Sequence, residues 1–286
     1  MDLGTLGVWT AVDRLDAKQL KDYVQLVERL GYGTLWYPES IGYETLSVAS
    51  YMLAQTSRLN LGSSIANIYA RDAITARNGL KTLSTLSGDR FVLGLGVSHV
   101  PNVEGVRDHT YGKPVATMRA YLARIREDEG AIGRPHAIAA LGPKMLELSA
   151  EMSWGALPYN VTPDHTAMAK GIVGGDAWLA VEQKVLLETD ADRARAMARR
   201  ELARYMPLDN YRNNWLRQGY TSDDFEDGGS YRLMDGMVVW GTEDDIRQRL
   251  QEHVDAGATH VAIQPVWDDG DFAARDRMLE IFAPRT

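Results

Sequence analysis

His99 closes the run Arg90-Phe91-Val92-Leu93-Gly94-Leu95-Gly96-Val97-Ser98-His99. An apolar strand that passes into glycines and then a histidine brings a proton-transfer group to the place where the strand stops being buried. The two glycines let its backbone approach whatever lies above. Glu39 has a similar setting in Trp36-Tyr37-Pro38-Glu39-Ser40. There a carboxylate could accept a ring N–H or move a proton if its proton affinity were raised, or it could serve as a loop acid or the partner of an arginine. The other histidines are placed less well. His253 and His260 fall in helix or turn contexts, and His136 and His165 stand beside strand or helix starts. His109 lies in the loop Arg107-Asp108-His109-Thr110-Tyr111-Gly112, from which it could reach the same region as His99.

Further polar groups and aromatic rings stand at the ends of apolar runs: Trp9-Thr10, Ser63-Ser64-Ile65-Ala66-Asn67 and Tyr159-Asn160. Any single tryptophan is an ordinary core residue, but rings, amides and hydroxyls gathered together suit a flat heteroaromatic ligand. Gly142-Pro143-Lys144-Met145 opens a helix, with proline fitted to its first turn, free amides able to receive a phosphate, and a lysine to add charge. In Asn67-Ile68-Tyr69-Ala70-Arg71-Asp72, Asp72 can cap a helix while Arg71 reaches a ligand or a carboxylate. No zinc-type histidine spacing, no Gly-x-Ser-x-Gly elbow and no phosphate loop ending in Gly-Lys is present, so metal, acyl-transfer and nucleoside-triphosphatase chemistry are disfavoured. The sequence contains no cysteine, which excludes disulfides and thiolate nucleophiles.

Eight short stretches rich in aliphatic and aromatic residues must position these groups: 3–9, 34–39, 59–66, 91–97, 136–141, 155–160, 177–188 and 260–266. Helical patterns separate most of them. The first helix shows Leu20, Tyr23, Val24, Val27 and Leu30 on one face, starts near Asp16 and stops at Gly31. The last is expected after Thr242, with Ile246, Leu250 and Val254 on one face and Gly257 as terminator. Strands that alternate with helices pair in parallel through right-handed crossovers, and eight such units close into a (β/α)8 TIM barrel. An open doubly wound sheet would carry a glycine fingerprint after its first strand, where Leu6-Gly7-Val8-Trp9-Thr10 has none. In a barrel the reactive groups sit at the C-terminal strand ends, which turns the list above into one site. The polar, aromatic stretch at about 206–236 is too long for an ordinary connection and is expected to form a helical insertion on a single domain spanning 1–286.

The 286 residues, 45% hydrophobic and 24% charged, suffice for a large core. A net charge of -8 without a dense basic run disfavours nucleic acid and anionic membrane as partners. No segment reads as a signal peptide or a membrane span, so a cytoplasmic protein is expected.

The segments 61–72, 90–99, 141–145 and Pro158-Tyr159-Asn160-Val161-Thr162-Pro163-Asp164-His165, with Val239-Trp240-Gly241-Thr242-Glu243-Asp244-Asp245-Ile246, resemble the bacterial luciferase-like superfamily. More narrowly, they resemble its deazaflavin-dependent oxidoreductases. The resemblance implies a barrel with insertions, dimeric as a rule, that binds coenzyme F420 or FMN at its mouth. It also implies a cis peptide at Ser64-Ile65, where relatives often carry glycine at position 64. The site it gives has His99 and Glu39 as catalytic residues. Ser63, Ser64, Ile65, Ala66, Asn67, Gly96, Ser98, Gly142, Pro143, Lys144, Met145 and Tyr159 form the cofactor-binding set. His99 stands where sugar-phosphate dehydrogenases of the superfamily carry a catalytic glutamate, and Ser40 replaces their histidine, so oxidation of a sugar phosphate by those residues is not expected. Ser153-Trp154-Gly155-Ala156 departs from the family's acidic-glycine-alanine sequence. The implied activity is hydride transfer between F420 and a small organic substrate in a homodimer. The alternatives are an FMN-dependent monooxygenase and a cofactor-binding barrel without turnover.

Overall fold

The eight apolar stretches all become strands, and the computed structural model closes them into a barrel. It describes residues 1–284, so the last two residues of the single-domain reading lie outside the described residues. The strands are β1 (Leu6–Trp9), β2 (Thr34–Tyr37), β3 (Asn60–Ser63), β4 (Ala66–Asn67), β5 (Phe91–Gly96), β6 (His136–Ile138), β7 (Gly155–Ala156), β8 (Trp178–Leu186), β9 (Val238–Trp240) and β10 (His260–Pro265). All their pairings are parallel, in the order β1, β2, β3, β5, β6, β7, β8, β10, and β10 closes the ring by pairing with both β8 and β1. The short β4 resumes the path of β3 alongside β5, and β9 lies against the Lys184–Leu186 end of β8.

The helices are α1 (Ala17–Arg29), α2 (Thr45–Ala54), α3 (Ala73–Ser87), α4 (Pro114–Arg126), α5 (Glu129–Ile132), α6 (Pro143–Met152), α7 (Pro163–Val173), α8 (Ala191–Leu202), α9 (Asp209–Arg217), α10 (Tyr231–Met237), α11 (Glu243–Asp255) and α12 (Phe272–Phe282). A π-helical turn spans Pro101–Val106, and a 3-10 segment spans Ser222–Gly228. Helix α1 starts at a capping box formed by Asp16 and Gln19 and buries Leu20, Tyr23, Val24 and Val27, as their spacing requires. Helix α11 starts at a second box, Thr242 with Asp245. Two expectations are corrected here. Val254 is 40% exposed, and the buried face of α11 is completed by His253. Nor is α11 the last helix, because α12 follows β10.

Glycines hollow the barrel so that two tryptophans can fill it. A Cβ on Gly62 would stand 2.3 Å from the Trp36 ring, and one on Gly7 would stand 2.4 Å from His260 Nε2. Trp36 Nε1 donates to His260 Nε2 at 2.9 Å, and His260 Nδ1 donates to the Gly4 carbonyl at 2.7 Å. With Trp9, Val92, Ala137, Leu157, Ala180 and Ala262, this packing makes the barrel interior a solid floor. Residues 206–236 hold α9, the 3-10 segment and most of α10, and their Tyr211, Trp215, Phe225, Leu233 and Met234 form a core of their own with Leu186 and Met197.

Candidate active site at the barrel mouth

Glu39 leaves β2 and turns inward, where Arg71 meets it with both guanidinium nitrogens. The two side chains are 3% and 6% exposed. Glu39 Oε2 also accepts the backbone N–H of Asn67 at 2.7 Å, and Arg71 reaches Glu44 at 3.0 Å. The carboxylate thus ties the end of β2 to the chain that follows β3. The same tie is made by Ser64 N–H to the Tyr37 carbonyl at 2.7 Å and Glu39 N–H to the Ile65 carbonyl at 3.2 Å. Between them the Ser64-Ile65 peptide is cis. Ser63 spends its hydroxyl on the Gly94 backbone of β5, accepting at 3.0 Å and donating at 2.8 Å. The glycines of β5 make room for this bulge: a Cβ on Gly96 would lie 2.4 Å from Ile65 Cγ1, and one on Gly94 would overlap the Ser63 carbonyl. What their backbone approaches is the protein's own chain. Asn67 Oδ1 accepts from Tyr69 N–H at 2.9 Å, and Ala66 is fully buried beside it.

His99 follows Ser98, whose φ of +56° turns the chain out of β5. The imidazole is half-buried, 5.7 Å from the Tyr211 ring, and hydrogen-bonded to Asn210. Burial lowers its proton affinity below the ordinary histidine value against the opposing effect of Asn210, so it is neutral at pH 7. His109 is exposed in its loop.

Tyr159 occupies the middle of the mouth. Its ring lies 5.1 Å from Trp9, 5.5 Å from Tyr205 and 6.2 Å from Tyr211. Its hydroxyl donates to Gln264 Oε1 at 2.9 Å, so the 2.7 Å contact with Tyr205 is donated by Tyr205. Helix α9 therefore stands over the strand ends, with Asn210 and Tyr211 against His99. Trp9 Nε1 is buried without an acceptor.

At the start of α6, Gly142 offers no side-chain cap, Pro143 takes the first position and Lys144 is exposed. Met145 packs half-buried behind them. Arg217 of α9 comes to this end: its Nη2 lies 3.3 Å from where a Gly142 Cβ would be, and it donates to Asn214 Oδ1 at 3.2 Å. Asn214 is fully buried, and its Nδ2 has no partner. The Arg217 guanidinium meets the free amides of a helix start here, with exposed Lys144 next in sequence to Pro143, as an anionic group requires.

Several mouth residues escaped the sequence reading: Tyr205, Asn210 and Tyr211 in or near the insertion, Gln264 on β10, and Glu182 and Lys184 on β8. The last two had a signal, since charges two apart in a strand share one face.

The luciferase-like monooxygenase family model matches residues 1–260, and the chain belongs to that family. A 5,10-methylenetetrahydromethanopterin reductase of Methanolobus tindarius is 25% identical over 292 residues, covering 85% of this chain and 89% of the relative. A putative coenzyme F420-dependent oxidoreductase of Mycobacterium tuberculosis is 28% identical over 204 residues, covering 59% of this chain and 58% of the relative. An F420-dependent secondary alcohol dehydrogenase has the same fold, with a TM-score of 0.76 over 100% of both chains at 13% identity. The chain is an oxidoreductase of the luciferase-like superfamily. Among the described residues no helix is long and apolar enough to cross a membrane.

Proposed function

We propose that this chain is a coenzyme F420-dependent oxidoreductase that transfers a hydride between the deazaflavin and a small organic substrate. The observation that carries the reading is the sequence likeness to the putative coenzyme F420-dependent oxidoreductase of Mycobacterium tuberculosis. The mouth supports it, because Trp9 Nε1 is a buried donor without an acceptor in a ring-lined space, and a heteroaromatic with ring carbonyls supplies acceptors. The bulge at Ser64-Ile65, with Ser63, Ala66, Asn67 and Gly96 behind it, would back the ring, and Ser98 and Tyr159 would border it. Gly142, Pro143, Lys144 and Met145, joined by Arg217, would hold the phosphate end. When bound, the cofactor supplies a two-electron hydride and activates oxygen poorly.

The chain's own residues orient and manage protons. His99, neutral at pH 7, can take a proton from a group placed against its imidazole. Glu39 would act by holding the bulge through Arg71 and Asn67. The family's monooxygenase chemistry favours FMN as a second reading. Reconstitution separates the two: purified protein should bind F420 and take up its violet absorption, and tight FMN binding without affinity for F420 would sink the deazaflavin reading. We further propose a cytoplasmic homodimer acting on a small molecule, with no nucleic-acid or membrane partner. A monomer mass by light scattering at micromolar concentration would refute the dimer.

A further inference from the structure

Glu182 and Lys184 share one face of β8 with Ala180, which packs inside the barrel with Trp9 and Trp36. Lys184 is fully buried and Glu182 is 4% exposed. Lys184 Nζ donates to Asn160 Oδ1 at 2.6 Å and to Glu182 Oε1 at 3.1 Å, and it lies 4.0 Å from the centre of the Tyr159 ring and 5.2 Å from that of Tyr205. Stability does not account for such a pair. Desolvating both charges costs about what their attraction returns, and an apolar pair of the same volume serves a fold as well or better.

The donors around this pair are not used up. An ammonium has three N–H groups, and only two of these find oxygen acceptors. Because lysine only donates, Asn160 must turn Oδ1 toward it, which leaves Asn160 Nδ2 buried without a partner in a residue 1% exposed. Asn160 cannot easily swing away. Its backbone has φ +56°, its N–H donates to Glu182 Oε2 at 3.2 Å, and its carbonyl accepts from Trp215 Nε1 at 3.1 Å. Two donors thus stand side by side lacking an oxygen, next to Tyr159. Tyr211 links this wall to the one bearing His99, three strands away round the barrel.

We propose that Lys184, seated by Glu182 and Asn160, binds and protonates the oxygen of a carbonyl substrate. The proposal rests on the hydride-transfer reading and names its substrate class: aldehydes, ketones and the corresponding alcohols. As the carbonyl carbon gains a hydride from reduced deazaflavin, the π pair moves to oxygen. An N–H bond of Lys184 breaks and the O–H bond forms, leaving a neutral amine and an alcohol. Solvent then restores the proton. In the reverse direction the neutral amine takes the alcohol proton as the hydride leaves to the oxidised cofactor. Burial lowers the proton affinity of Lys184, while Glu182 and Glu201 raise it and Arg204 lowers it, so the neutral amine is within reach. The Tyr159 and Tyr205 hydroxyls, both held protonated by burial, are the other titratable groups facing it.

The first test needs neither turnover nor a variant. Full-length protein, with and without F420, is treated with propanal and cyanoborohydride at pH 7, and alkylated lysines are mapped by mass spectrometry. Lys184 should be alkylated together with exposed Lys18 and Lys144. An unmodified Lys184 in both forms overturns the proposal. For turnover, Glu182→Gln is combined with Lys184→Met so that no charge is stranded. The double variant should keep its fold and its F420 affinity and reduce propanal about 100-fold more slowly; an unchanged rate overturns the proposal. Failure to bind F420 defeats the functional reading by itself, whereas labelling of Lys184 is read on the apo-protein and decides the carbonyl site separately.

Discussion

Replacing Arg71 with methionine strands Glu39. In the native structure the two form a bidentate pair with side chains 6% and 3% exposed, and the Glu39 carboxylate receives one further N–H, from Asn67. Removing one partner of a buried pair leaves the other charge desolvated, at a cost of about 3–5 kcal/mol. Unfolding entropy for a chain of 286 residues amounts to about 0.6 kcal/mol per kelvin, so the melting temperature should fall by about 5–8 °C. Adding Glu39→Gln to Arg71→Met should recover most of that loss, because a neutral amide can keep the Asn67 N–H. Glu39→Gln alone should cost less, since Glu44 still holds the guanidinium at 3.0 Å. Calorimetry on the four proteins gives the coupling energy, and titration with F420 reports whether the bulge still receives its ligand. An unchanged melting temperature for Arg71→Met would refute the clamp. A Glu39→Gln variant with native stability and F420 affinity but no turnover would show that the carboxylate moves a proton instead.

His99→Gln should leave F420 affinity within about twofold and slow turnover about 100-fold, abolishing the limb of the pH–rate profile that falls as pH drops below the ordinary histidine range; unchanged turnover removes His99 from the chemistry. Gly96→Ala should drive a methyl into Ile65, 2.4 Å away, costing about 1–3 kcal/mol and weakening F420 binding through the displaced bulge, and native affinity by fluorescence titration would contradict this. Acid should destabilise the protein before its carboxylates titrate. His253 and His260 are buried neutral with pKa values lowered to about 3 and about 4, while unfolded histidine binds its proton near 6.5. The unfolded state therefore takes up more protons as pH falls below 6.5, and at pH 5 the two residues remove about 4 kcal/mol together. Urea midpoints that stay constant from pH 7.5 to 5 would refute it.

The strands were legible because a barrel buries both faces of each one, so their apolar runs stand out from any background. The helix starts at Asp16 and Thr242 were legible because capping is local chemistry. Burial of a polar residue by distant partners leaves no such trace. His253 takes the place expected of Val254 because Thr166 and Gln183, on α7 and β8, satisfy both of its nitrogens at 2.8 and 3.0 Å. Helix α12 was missed for a related reason. Its inner face carries Arg275 among Met278, Leu279 and Phe282, and that guanidinium is buried against the Tyr23 ring at 4.1 Å and paired with Asp276.

The same comparison separates the polar groups the fold needs from those it does not. His253 and Arg275 interrupt apolar patterns, yet each is matched by partners inside the structure, and the fold is their sufficient cause. The Lys184–Asn160 pair is buried just as deeply and ends with a donor, Asn160 Nδ2, that nothing in the chain accepts. An unmatched buried donor costs about 1–3 kcal/mol. A barrel that keeps one at the strand ends, beside an aromatic mouth, is built around an acceptor that its own sequence does not supply.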